Sequence, residues 1–446
     1  MGSGTTLEYS DISDIGLRRQ KNQDSKAVVA PWSREQYRRT GWLFVVADGM
    51  GAHAAGETAS ELAAKVVPQA YQRLAPTSPP MALLSSIRQA NEVIHSQGEA
   101  TAELRGMGTT CTALALLPRG AVVGHVGDSR AYRIRGSTIE QFSRDHSLAW
   151  EVEAMQARSG EEPVHAPPKN IITRSLGPHA KVDVDVEGPF PIDVDDTFVV
   201  CSDGLSGQVA DEEIGLLAGT LPPVEAASAL LGLALVRGAP DNVTIIVARA
   251  GVQEATSASG AETPWPLTTE PAQAKGPQPL PVNWLALAAG ALLGALVSAN
   301  WVDWDRIRNG ELPADLAGYL NAGILGVLGL LFLAAMVLAV IRLLPSGAPP
   351  PLLQNGKQLG GGPYRSFACP PSLARIEGII SSVESAADGL SDSERQRCLA
   401  HVTTARQANV AGDFTGALTA ANRGIALYRL AVEAARRDET VNTADD

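Results

Sequence analysis

The chain has 446 residues, with 36 Lys and Arg against 48 Asp and Glu and a formal net charge of -12 at pH 7. That length exceeds one ordinary domain, and an acidic balance with no basic stripe excludes a nucleic-acid partner. Four cysteines, Cys111, Cys201, Cys369 and Cys398, lie far apart with no metal-type spacing, which fits a reducing compartment.

In chain order, Ser13-Asp14-x-Gly16-x-x-Arg19-x-x-Asn22-x-Asp24 comes first. Short apolar or β-branched runs bounded by turn residues then predict strands over 42–47, 113–117, 121–125, 198–201 and 243–248. Between 55 and 74, and again between 80 and 99, the apolar spacing is helical and alanine-rich. Strand groups that alternate with helix groups predict a layered α and β architecture. Five aspartates stand at the margins of the strand runs: Asp24, Asp48 (before Gly49), Asp128 (after Gly127), Asp203 (before Gly204) and Asp241 (before Asn242). A single Asp-Gly is how a turn is written. Several carboxylates converging from strand ends, however, repel one another unless cations neutralise them, and an all-oxygen donor set calls for hard divalent ions.

Further motifs interleave with these: Asp48-Gly49-Met50-Gly51-Ala52-His53-x-x-Gly56-Glu57, Met107-Gly108-Thr109-Thr110, Gly127-Asp128-Ser129-Arg130-Ala131-Tyr132, Asp145-His146-Ser147-Leu148, Thr173-Arg174-Ser175-Leu176-Gly177 and Asp241-Asn242-Val243-Thr244. In this order, from about Tyr9 to Ala250, the set resembles the metal-dependent protein phosphatases of type 2C in their bacterial serine/threonine form. The resemblance implies an α+β fold, a four-layer α-β-β-α sandwich of two antiparallel sheets flanked by helices, with the metal cleft at one end. It also implies two manganese or magnesium ions and a third, weaker site. Asp48 would bridge the two ions, the Gly49 carbonyl, Asp203 and Asp241 would complete the inner ligands, and Asp24 would act through water. Asp128 with Asp203 would form the third site. Paired ions of this kind create a hydroxide that attacks phosphoserine or phosphothreonine in line, without a covalent phosphoenzyme.

Arg19 is the expected phosphate holder, because a guanidinium fork matches two phosphoryl oxygens and keeps its charge. Arg18 reads as a surface charge, and Ser13 and Asp14 as a strand end. In the eukaryotic branch of the resembled family a histidine donates a proton to the leaving alkoxide; Met50 occupies that position here. His53 then reads either as a proton donor or as a structural neighbour of the ligands, and Asn242 as a supporting neighbour. Gln23 stands where many relatives carry Glu, and 148–169, a flap beside the cleft, is rich in Glu and Pro. The first removes one possible outer acceptor, the second bears on substrate preference, and neither removes an inner ligand.

After residue 250 the composition changes. Residues 251–282 read as a Pro, Ala, Ser and Thr linker. Within 283–343, two apolar runs at about 284–302 and 316–341 are each long enough, at about 1.5 Å per residue, to span a hydrocarbon core of about 30 Å. Trp284, Trp301 and Trp304 sit at their ends, where indole rings favour the interface. Flanking Lys and Arg give almost no orientation signal, so function sets it: catalytic domain and C-terminus on the cytoplasmic side of the inner (plasma) membrane. A Gly and Pro linker is predicted over 344–371, an all-α module over 372–437, and an acidic, disordered tail over 438–446. Ser391-x-x-Glu394 reads as a capping box, and the module as a helical hairpin or three-helix bundle for docking or self-association. The function expected is a membrane-anchored phosphatase acting on cytoplasmic phosphoproteins and opposing a Ser/Thr kinase, either broadly or on one regulator. The alternative is a membrane scaffold whose phosphatase-like domain binds phosphoproteins without turnover.

Overall fold

The computed structural model describes residues 7–51, 55–159, 171–251, 309–310 and 359–442. Two sheets, antiparallel throughout, make its centre. The first has the order β1 (Leu7–Asp14), β11 (Val243–Ala250), β10 (Thr197–Cys201), β7 (Arg130–Arg135), β8 (Thr138–Gln141), β12 (Arg365–Ala368). The second runs β2 (Asp24–Val29), β3 (Trp42–Met50), β5 (Cys111–Leu117), β6 (Gly120–Val126), β9 (Asp185–Phe190), with the two-residue β4 (Gly108–Thr109) also on β3.

The side-chain period of two decides how these strands pack. On β3, Phe44 and Val46 point between the sheets with Leu114, Leu116, Phe198, Val200 and Ile246, while Leu43, Val45 and Ala47 point outward. Outward residues of the second sheet are covered by α2 (Ala55–Leu74) and α3 (Pro79–Ala100), through Ala59, Ala63, Val67, Leu83 and Ile87. Those of the first sheet, Tyr132, Val199, Ile245 and Val247 among them, are covered by α6 (Asp211–Thr220) and α7 (Pro223–Val236). The helix–sheet–sheet–helix layering matches the expectation. The described residues up to 251 also form the short helices α1 (Arg34–Thr40) and α5 (Asp203–Ser206), and α4 (Leu148–Ser159) in the flap.

The C-terminal region is continuous with this body. The described residues 7–251 and 359–442 fall in one compact unit. Helices α8 (Leu373–Ala386), α9 (Asp392–Val410) and α10 (Phe414–Asn442) share a core with α7 through Ile376, Ile380, Val402, Leu418 and Ile425. The capping box at Ser391 and Glu394 is present. Two details depart from expectation. Inside the stretch read as a Gly and Pro linker, Arg365–Ala368 forms edge strand β12 on β8; a four-residue strand hides easily among Gly and Pro. Helix α10 also runs to Asn442, into the stretch read as a tail, because no Gly or Pro stops it.

The segment leading into β12 also touches the flap helix. Tyr364 meets the Trp150 ring edge-on, the Arg365 guanidinium lies 4.0 Å over that ring, and Arg365 pairs with Glu153. The apolar runs 284–302 and 316–341 lie outside the described residues. Among the described residues no helix is long and apolar enough to cross a membrane.

Candidate active site

Each of the five aspartates is delivered by a strand end. Asp24 opens β2 and lies opposite Asp48 of β3 in the register. Asp128 stands between β6 and β7, Asp203 follows β10, and Asp241 precedes β11. Both sheets therefore send carboxylates to the same end of the sandwich. Asp48 lies close enough to Asp24, Asp203 and Asp128 for their charges to act on it, and Arg19 Nη2 donates to Asp241 Oδ2 at 2.7 Å.

Burial dominates the electrostatics. It pushes Asp48 well above the usual carboxylate range, helped by the charges of Asp24, Asp203 and Asp128. Asp203 is raised for the same first reason. Asp24 is pushed up to about 7 against the lowering effect of the Ser202 hydroxyl, and Asp128 to about 8. Carboxylates so placed favour any partner that removes their mutual repulsion.

Asp24 Oδ1, Asp128 Oδ1 and Asp203 Oδ1 are buried without a hydrogen-bond partner. Orphaned acceptors are costly unless something positive meets them, so this donor set fits hard divalent cations. Among the described residues, no three His, Cys, Asp or Glu side chains converge closely enough to hold one ion. Asp241 is engaged with Arg19 in this arrangement.

The candidate carbonyl of Gly49 depends on a missing side chain. A Cβ there would lie 2.1 Å from the Gly56 carbonyl and 2.5 Å from that of Gln23, so only glycine lets the start of α2 approach. Asp48 is fixed by its backbone: its N–H donates to Thr110 Oγ1 at 2.9 Å, and its carbonyl accepts from the Thr110 amide at 2.8 Å. His53 lies outside the described residues.

Asn242, expected as a supporting neighbour, and several residues without an assigned role hold the site together. Ser202 Oγ donates to Asp24 Oδ2 at 2.7 Å and accepts the Thr244 amide at 2.9 Å. Asn242 fixes the Arg19 loop, donating to the carbonyls of Ile15 at 2.9 Å and Lys21 at 3.0 Å and accepting from the Gln23 amide at 2.8 Å. Behind Asp128, His146 Nδ1 accepts the Gly127 amide at 3.0 Å and its other nitrogen meets Asp185 Oδ2 at 3.0 Å. Arg130 reaches both oxygens of Asp145 and also Asp211. Arg130, Asp145, His146 and Asn242 sit inside the motifs quoted above and Ser202 directly precedes Asp203; their positions were legible, their partners were not. Ser13 and Asp14 do end β1, with Ser13 Oγ 2.7 Å from Thr244 Oγ1.

The profile of the family described as protein phosphatase 2C matches residues 18–231. The chain is 33% identical over 240 residues to the serine/threonine phosphatase stp of Listeria welshimeri, covering 53% of this chain and 92% of that one. It is 36% identical over 250 residues to the serine/threonine protein phosphatase PstP of Mycobacterium tuberculosis, covering 54% of this chain and 45% of that one. Among solved structures, the catalytic domain of PstP in complex with 2 manganese ions aligns with 55% of this chain and 97% of its own, at 34% identity and a TM-score of 0.46.

Proposed function

The chain belongs to the protein phosphatase 2C family, and from that premise we propose that it is a metal-dependent protein serine/threonine phosphatase anchored in the membrane. The observation that carries the reading is the delivery of five aspartates to one end of the sandwich, three of them with an orphaned buried oxygen. Asp48, the Gly49 carbonyl, Asp203 and Asp241 would hold two manganese or magnesium ions. Asp24 would act through water, and Asp128 with Asp203 would take a weaker third ion. When bound, the ions activate the attacking water and neutralise charge on the phosphoryl oxygens. Arg19, with its side chain half exposed beside Asp241, is placed to clamp two phosphoryl oxygens and hold the ester in line. Ser202 and Asn242 keep Asp24 and the Arg19 loop in place.

Phosphorylated proteins are the substrates on this reading, and a Ser/Thr kinase is the opposing activity. The two apolar runs support a membrane hairpin, with both ends of the chain cytoplasmic at the inner (plasma) membrane. The packing of α8–α10 against α7 favours that topology, because residues 7–251 and 359–442 must then share a compartment and the crossings between them must be even in number. Docking or self-association by the C-terminal helices would use the surface that α7 leaves open.

The test is hydrolysis of a phosphothreonine peptide by the full chain with manganese and with chelator, wild type against Asp203→Ala. Manganese-dependent turnover that falls at least about a hundredfold in the variant is expected. Folded wild type that binds the peptide and manganese without turnover would contradict the reading and favour the scaffold.

A further inference from the structure

We propose that Arg436, near the end of the chain, is a positioning residue for the loop that carries Arg19, so that the C-terminal helix α10 is a working part of the phosphatase; the inference rests on the function proposed above. The loop joins β1 to β2 and opens with a turn at Asp14. The Gly16 amide donates to Asp14 Oδ1 at 2.8 Å. Gly16 has φ +76, and a Cβ there would lie 2.0 Å from the carbonyl of Asp241. The turn thus rests directly on the backbone of Asp241, whose carboxylate holds Arg19.

The outer side of the same turn is closed by α10. Arg436 Nη1 reaches Asp14 Oδ1 at 3.1 Å and Oδ2 at 3.0 Å, and its Nη2 donates to the Gly16 carbonyl at 2.6 Å. The fork therefore spans a carboxylate and a carbonyl two residues apart, which a point charge does less well. Asp14 is only 15% exposed and Arg436 29%, so solvent screens the pair less than an ordinary surface ion pair.

Arg436 is delivered there by a rigid path. Ile425 of α10 packs where a Cβ on Gly232 of α7 would lie 2.1 Å from its Cγ2, and Arg429 Nη1 donates to Ser228 Oγ of α7 at 2.9 Å. Residues 425, 429 and 436 recur on one helix face. Beyond its C-terminus, α7 leads through Ala239, whose carbonyl accepts the Leu17 amide at 2.8 Å, to Asp241. Helix α7 consequently supports the Arg19 loop twice, directly through 239–242 and indirectly through α10.

The experiment is steady-state hydrolysis of a phosphothreonine peptide by the full chain at saturating manganese, in wild type, Arg436→Ala, Arg436→Lys, Asp14→Ala and the double alanine variant. A rise in KM of about tenfold in Arg436→Ala, with a smaller fall in kcat, partial rescue by Lys, and a double variant no worse than the singles, is expected. Unchanged KM in a folded Arg436→Ala, or additive effects in the double variant, would overturn the proposal. If the wild type itself lacks turnover, the functional reading has failed, and amide exchange decides the positioning role. Faster exchange at Gly16 and Leu17 in Arg436→Ala supports it; unchanged exchange overturns it.

Discussion

The hydroxyl of Ser202 touches both Asp24 and the Thr244 amide, so one small side chain ties β10 to β2 and β11 directly behind a candidate ligand. Removing it leaves Asp24, already pushed up to about 7 by burial, with less reason to ionise. Ser202→Ala is expected to weaken manganese binding by about 10–100-fold, read by titration calorimetry; unchanged affinity would deny Ser202 that role. A second residue-scale expectation concerns His125, which burial holds down to about 3, against about 6.5 in an unfolded chain. The folded chain refuses a proton that the unfolded chain accepts. The stability this neutral group contributes is therefore complete above about pH 6.5 and is lost as pH falls toward about 3. The adjacent His146, also lowered by burial, is present in both chains. Urea midpoints should fall more between about pH 7 and about pH 4 in wild type than in His125→Gln. Equal falls would show that His125 does not contribute.

At the scale of elements, the contact of α7 with α10 is close enough to test by one methyl. Gly232→Ala forces that methyl against Ile425, and a cost of about 1–3 kcal/mol is expected, visible as a lower Tm. An unchanged Tm would mean that α10 yields without loss. Elements with a clean period were legible from sequence: 55–74 and 80–99 were expected as helices and are α2 and α3 within a residue at each end. The five aspartates were legible too, because each borders a strand run. What escaped was pairing at long range. The partners of Asp24 and Ser202 lie 178 residues apart in sequence, and nothing local to either announces the other. The reading of 372–437 as an all-α module did not name α7 as the surface it covers, and β12 was concealed by the composition around it.

For the whole molecule, these contacts make the catalytic sandwich and the C-terminal helices one body rather than an enzyme with an appendage. A fragment of residues 7–251 should have a lower Tm than the full chain, since α7 loses the cover that Ile425 and its neighbours give it around Gly232; an equal Tm would contradict the shared core. The aspartates are proposed to form a binuclear cation site serving phosphoryl hydrolysis. The most direct measurement is calorimetric titration of manganese into the full chain, wild type beside Asp48→Asn. Two ions per wild-type chain, with binding lost or halved in the variant, is the predicted result, whereas folded wild type that takes up no manganese, or a variant that binds as well as wild type, would contradict it.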